Sequence, residues 1–203
     1  MIATPGPRRL AKPLFDSLLI VFGVVLGFVV NDWAQTRALH ARTAQALAAI
    51  RQELVADRRE LRGAHDHHLG VHDTLAAYVA REVLVPERVY MSGMFSPGRP
   101  VSSAWESART TGALSDLPYP LVLRLSDVYG SFELYRSLSE GIAHDLYTDF
   151  LRRGPKPVFG DAAPNFGLLA GDWAQREARL TEKCDSAIAL IDRTQRSEPA
   201  RPR

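Results

Sequence analysis

The chain has 203 residues, of which 46% are hydrophobic and 24% charged, with a formal net charge of +2. At roughly 100–200 residues per domain there is room for one main domain, and so average a composition excludes a polytopic membrane protein, a collagen-like repeat and a wholly disordered chain. The balanced charge gives no footing for nucleic-acid binding, and Cys184, the only cysteine, excludes an internal disulfide and a thiolate zinc site.

The averages hide a segregated chain. Residues 1–13 carry Arg8, Arg9 and Lys12 among three prolines and read as an irregular, basic, cytoplasmic end. Leu18 to Val30 then reads LLIVFGVVLGFVV, thirteen residues without a polar side chain. With Leu14 to Ser17 the run gives about 26 Å of helix at 1.5 Å per residue, the short end of what crosses a ~30 Å hydrocarbon core. Residues 14–33 are therefore predicted to be a transmembrane anchor, with Trp33 at the membrane interface. No small-x-small cleavage site follows the run, which disfavours a cleaved signal peptide. The Arg8-Arg9 pair is a poor twin-arginine signal, and a buried core helix is the remaining alternative. Basic residues before the span slightly outweigh Arg37 and Arg42 after it, which places the N-terminus in the cytoplasm and the bulk of the chain in the periplasm. Gly23 and Gly27 form a G-x-x-x-G pair that would let two spans approach closely.

From Asn31 to Arg62 there is neither Pro nor Gly, so the anchor helix is expected to continue into residues 34–195, with Gly63 and Gly70 weakening or bending it. Leu47, Leu54, Leu61 and Leu75 recur every seven residues, with His68 in the missing place. Ile50, Asp57, Ala64, Val71 and Tyr78 then fall on the d positions. This seam predicts either a coiled coil between copies or an amphipathic helix packed on its own domain. Pro86 ends it, and Pro/Gly-rich loops are expected near 86–100 and 154–167. Ser103-x-x-Glu106 has the form of a capping box, opening a short helix that ends near Gly112. Pro118 and Pro120 open the next helix, whose apolar stripe runs Leu121, Leu125, Val128, Phe132, Tyr135, Ile142, Leu146 and Phe150. The last helix places Trp173, Leu180, Cys184, Ile188 and Ile191 on one face. Residues 196–203 form a disordered basic tail. No segment alternates with period two, so the predicted fold is all-α: a transmembrane helix continuing into an extracytoplasmic helical bundle.

The order of apolar span, Asn31-Asp32-Trp33, Ile50-x-x-Glu53-Leu54 and spaced leucines resembles a broad group of uncharacterised bacterial single-pass membrane proteins. In that group an N-terminal span ends in an Asn-x-Trp motif and a long helix follows. Trp105-x-x-Ala108-x-x-x-Gly112 and Leu125-Ser126-x-x-Tyr129 extend the resemblance over about residues 14–150. It implies the layout and the bacterial inner membrane, and no activity.

Chemistry is sparse. His65, His68 and His72 fall on one helical face and could hold Zn²⁺, Cu²⁺ or Ni²⁺. The alternatives are a histidine patch, solvated or between helices, and a pH-sensitive contact. Leu69 stands where His-Glu-x-x-His needs its general base. His40, His65-Asp66 and Asp127 or Asp145 only faintly suggest a metal-dependent phosphohydrolase. Cys184 reads as a buried small hydrophobe, and Trp105, Trp173, Tyr129 and Tyr135 as core aromatics. The expectation is a membrane-anchored helical scaffold or accessory subunit that is not an enzyme and needs no cofactor. Its partners are the lipid bilayer and a second copy or another membrane protein. Gly23, Gly27, Leu47, Ile50, Leu54 and Leu61 would carry self-association. An extracytoplasmic metal- or ligand-sensing domain built on the three histidines is the other reading.

Overall fold

The structure is a computed structural model that describes residues 11–86, 89, 93–154, 157 and 162–197. The expectations for Arg8, Arg9, Tyr90, the tail beyond Ser197 and much of the two Pro/Gly loops lie outside the described residues. Four helices make up the architecture: α1 (Ala11–Ala80), α2 (Ser103–Thr110), α3 (Tyr119–Arg153) and α4 (Ala163–Ser197). Among the described residues there is no strand. The chain divides into two units, Met1–Gln45 and Ala46–Arg203, and α1 supplies residues to both.

In the first unit α1 starts at Ala11, ahead of the expected Leu14, with Pro13 in its first turn, where a missing N–H costs nothing. Every side chain from Leu18 to Val30 is exposed, an arrangement a soluble core helix would not tolerate. Among the described residues this is the one helix long and apolar enough to cross a membrane. Trp33 is exposed as well, and the Arg37 guanidinium lies over its ring, 5.4 Å from the centroid. A Cβ placed on Gly23 or Gly27 would meet nothing within 4 Å.

The second unit is a helical bundle whose order follows from its cross-links. Arg51 pairs with Asp192, Arg58 with Asp185 and His72 with Gly167, so α1 and α4 are antiparallel. Lys183 reaches Asp127, and Trp173 reaches Ser139, so α3 and α4 are antiparallel too. α3 therefore runs with α1. The main core joins the heptad leucines to both expected stripes, with Leu47, Ile50, Leu54 and Leu61 packed among Leu121, Leu125, Phe132, Cys184, Ile188 and Ile191. A second cluster gathers Leu75, Met94, Ala163 and Phe166. Leu54 and Leu61 are fully buried within their own chain. The seam is thus filled within one chain: Leu47, Ile50, Leu54 and Leu61, expected at an oligomer interface, pack with residues of α3 and α4.

Local chemistry departs from the sequence reading in four further places. α1 stays helical through Gly63 and Gly70 and ends at Ala80, before Pro86. α4 begins at Ala163 rather than after Gly167, and Phe166 and Gly167 are buried. Phe150, expected on the core stripe, is partly exposed. The capping box does not form. Glu106 pairs instead with Arg109, and the α2 N-terminus is capped from outside by Glu53 of α1, which accepts from Ser103 Oγ and Ala104 N–H, both at 2.8 Å. A carboxylate there meets the positive end of the helix dipole. α2 ends in a turn in which Ala113 N–H bonds the Ala108 carbonyl, and Gly112 takes the left-handed φ of 71° that this closure requires.

Candidate functional site

Between α1 and α2 the chain returns as an extended segment, residues 93–102, with no sheet to receive its backbone donors. Pro97 and Pro100 hold it extended and have no N–H to place. The neighbouring donors are all taken by side chains. Ser96 N–H bonds His68 Nε2 at 3.2 Å, Gly98 N–H bonds Tyr135 Oη at 3.0 Å, Arg99 N–H bonds Glu60 at 2.8 Å and Val101 N–H bonds Asp57 at 3.0 Å. At its start, His67 Nε2–H donates to the Gly93 carbonyl at 2.6 Å. From Ser96 onward, residue numbers rise along the segment as its α1 partners fall from His68 through Glu60 to Asp57, so a strap runs antiparallel to the helix. Gly98 lies close against α1: a Cβ there would come within 3.3 Å of Leu61 Cδ2, and Leu61 would have to give by a few tenths of an ångström.

Two polar groupings face the strap, the first buried and the second running from buried Glu53 and Asp57 to exposed Glu60. In the first, His68, Tyr135 and Glu177 are fully or nearly fully buried. His68 Nε2 accepts the Ser96 N–H, so the imidazole proton resides on Nδ1, which donates to both Glu177 oxygens at 3.1 and 2.9 Å. Tyr135 Oη accepts from Gly98 and donates its own proton to Glu177 Oε1. Burial, followed by the bond to Glu177, pushes the Tyr135 phenol far above its ordinary range. It stays protonated, as this role demands. The chain of bonds links all three long helices to the strap.

In the second, Glu53, Asp57 and Glu60 stand on the strap side of α1. Glu53 also accepts the Tyr129 hydroxyl at 2.8 Å, whose ring stacks on Trp105. Asp57 is 3% exposed, and its Oδ2 has no hydrogen-bond partner. Burial raises its carboxyl to about 6; the Val101 N–H works against that shift, and the Glu53 and Glu60 charges add to it.

The three histidines proposed as metal ligands do share the face of α1 that meets α4, but they do not converge. His65 Nδ1–H donates to the Ala174 carbonyl, His68 to Glu177 and His72 to the Gly167 carbonyl. Those partners are strung over about 15 Å of α4 at 1.5 Å per residue, whereas three zinc ligands must meet within about 2.1 Å of one point. Among the described residues no three His, Cys, Asp or Glu side chains are gathered to hold a metal. His65, His68 and His72, expected as metal ligands, each make a bond from α1 to α4. The phosphohydrolase grouping dissolves as well, with Asp127 bound to Lys183 and His65 to a backbone carbonyl. Cys184 is fully buried, and burial pushes its thiol up to about 12, so it packs as a neutral hydrophobe.

The sequence alone assigned no role to Glu60 or Glu177, marked Glu53 only within a motif and placed Asp57 only as a polar d position of the seam. A signal was present: Glu177 falls between Trp173 and Leu180 in an otherwise apolar stripe, and a charge on such a face demands a buried partner. No protein-family model, curated protein or solved structure matches the chain.

Proposed function

We propose that this protein is a single-pass, membrane-anchored helical scaffold or accessory subunit that works through protein–protein contacts rather than catalysis. The observation that carries this reading is the contrast within one chain. Thirteen consecutive apolar residues are wholly exposed, while the side chains best suited to chemistry, His68, Tyr135 and Glu177, are buried and bonded to one another. A catalytic group has to touch a substrate, and these three touch only the fold. The basic residues ahead of the span favour a cytoplasmic N-terminus and a bundle on the periplasmic side of a bacterial inner membrane. The resemblance to the Asn-x-Trp membrane proteins supports the same layout.

With the heptad leucines committed to the bundle, self-association falls to the span, where Gly23 and Gly27 leave a flat strip for a second helix. Sedimentation of the full chain in detergent micelles tests this. The expected result is a concentration-dependent oligomer that Gly27→Ile shifts to monomer while helicity is retained. A monomer at every concentration, or an oligomer indifferent to Gly27→Ile, would refute self-association through the span.

A further inference from the structure

We propose that Asp57 is a proton-binding switch which sets how tightly the strap of residues 93–102 is held on α1, the strap tightening as pH falls. The geometry carries this. Glu53, Asp57 and Glu60 stand one turn apart on one helical face; Asp57 and Glu60 hold the Val101 and Arg99 N–H groups of the strap, and Glu53 holds the Ala104 N–H in the first turn of α2 that follows it. Among the described residues none of the three makes an ion pair; Arg58, next to Asp57 in sequence, pairs with Asp185 at 2.7 Å. Asp57 is the middle and most buried member of the three, and one of its oxygens faces no donor.

The groups that act on Asp57 come from every element packed around it. They are Glu53 and Glu60 from α1, the Val101 N–H from the strap, the Tyr129 hydroxyl from α3, and Cys184 from α4 with Asp185 beside it. The thiol and the phenol stay neutral, and Asp185 is satisfied by Arg58 and Arg62. An ionised Asp57 is left with one N–H to offset its burial and two like charges a turn away. Protonation removes the repulsion, and the carbonyl oxygen of the neutral acid still accepts from Val101.

The sign of the linkage follows. With the strap closed, Asp57 binds its proton more tightly than with the strap open, where water restores an ordinary carboxyl. Above about pH 6 Asp57 is ionised in both states, and closure is at its weakest. As pH falls from there toward the ordinary carboxyl value, closure takes up a proton and is progressively favoured. Most carboxylates in a folded chain act the other way, and Asp192 is one: the bond to Arg51 holds it below the usual range, so its contribution is lost in acid.

Hydrogen exchange of the full chain in detergent micelles, read by mass spectrometry on peptides covering residues 96–104 and corrected for intrinsic rates, tests the proposal. Protection of the strap should rise about tenfold between pH 7 and pH 5. Asp57→Asn, which keeps an acceptor for Val101 but cannot ionise, should abolish the pH response. Glu60→Gln, which leaves Asp57 in place and removes one neighbouring charge, should shift the response to lower pH, and it serves as the test should the first variant fold poorly. Protection that is flat or falling between pH 7 and pH 5 in the unaltered chain, or an identical rise in Asp57→Asn, would overturn the proposal.

Discussion

A carboxylate with no access to water must either give up its charge or find enough donors to replace its hydration shell, and Glu177 has found them in His68 and Tyr135. Removing one partner from such a buried grouping costs more than the bond itself, because the others are left desolvated and unpaired. Glu177→Ala should therefore destabilise the bundle by about 3 kcal/mol, strand the His68 Nδ1–H and the Tyr135 hydroxyl, and loosen the strap through Ser96 and Gly98. Urea unfolding followed by Trp173 emission measures this; Trp173 lies beside Tyr135 and Phe95 in the same core. A loss below about 0.5 kcal/mol, typical of surface substitutions, would contradict the importance given to Glu177. At this scale the sequence disclosed little. His68 could be seen to occupy a leucine slot of the heptad. Its carboxylate partner, Glu177, lies 109 residues further along the chain, and a pairing that remote leaves no local pattern.

Among elements, the seven-residue spacing on α1 was plain in the sequence, and so were the stripes on α3 and α4, since each is a local periodicity. What periodicity cannot specify is the partner of a stripe. Leu47, Leu54 and Leu61 would look the same facing a second copy, and the structure faces them into α3 and α4. The two cases differ in their dependence on concentration. Leu54→Ala should cost about 2–5 kcal/mol by cavity formation, with the same lowering of the urea midpoint at every protein concentration. An interchain seam would instead give a midpoint that rises with concentration. The strap is the element least visible beforehand. Its prolines and glycines mark irregular chain, and its order, through to the first turn of α2, comes from side chains of α1 26 to 51 residues away rather than from any propensity of its own.

On the scale of the whole molecule, the average composition described neither unit. The first exposes an unbroken apolar stretch, and the second buries a polar network beneath a strap and holds together without a disulfide. The all-α class and the candidate span were legible because a run of apolar residues and helical stripes are properties of contiguous sequence. The internal fastening was not, because it depends on which helix face meets which. Membrane anchoring requires the exposed stretch from Leu18 to Val30 to lie in a bilayer. Alkaline carbonate extraction of membranes from cells making the full chain tests that claim directly. The chain should stay in the membrane pellet, and Val25→Arg together with Leu26→Arg, which put two charges at the centre of the span at about 2.5–3.5 kcal/mol each, should release it. Recovery of the unaltered chain in the carbonate supernatant would contradict the membrane anchor and the function built on it.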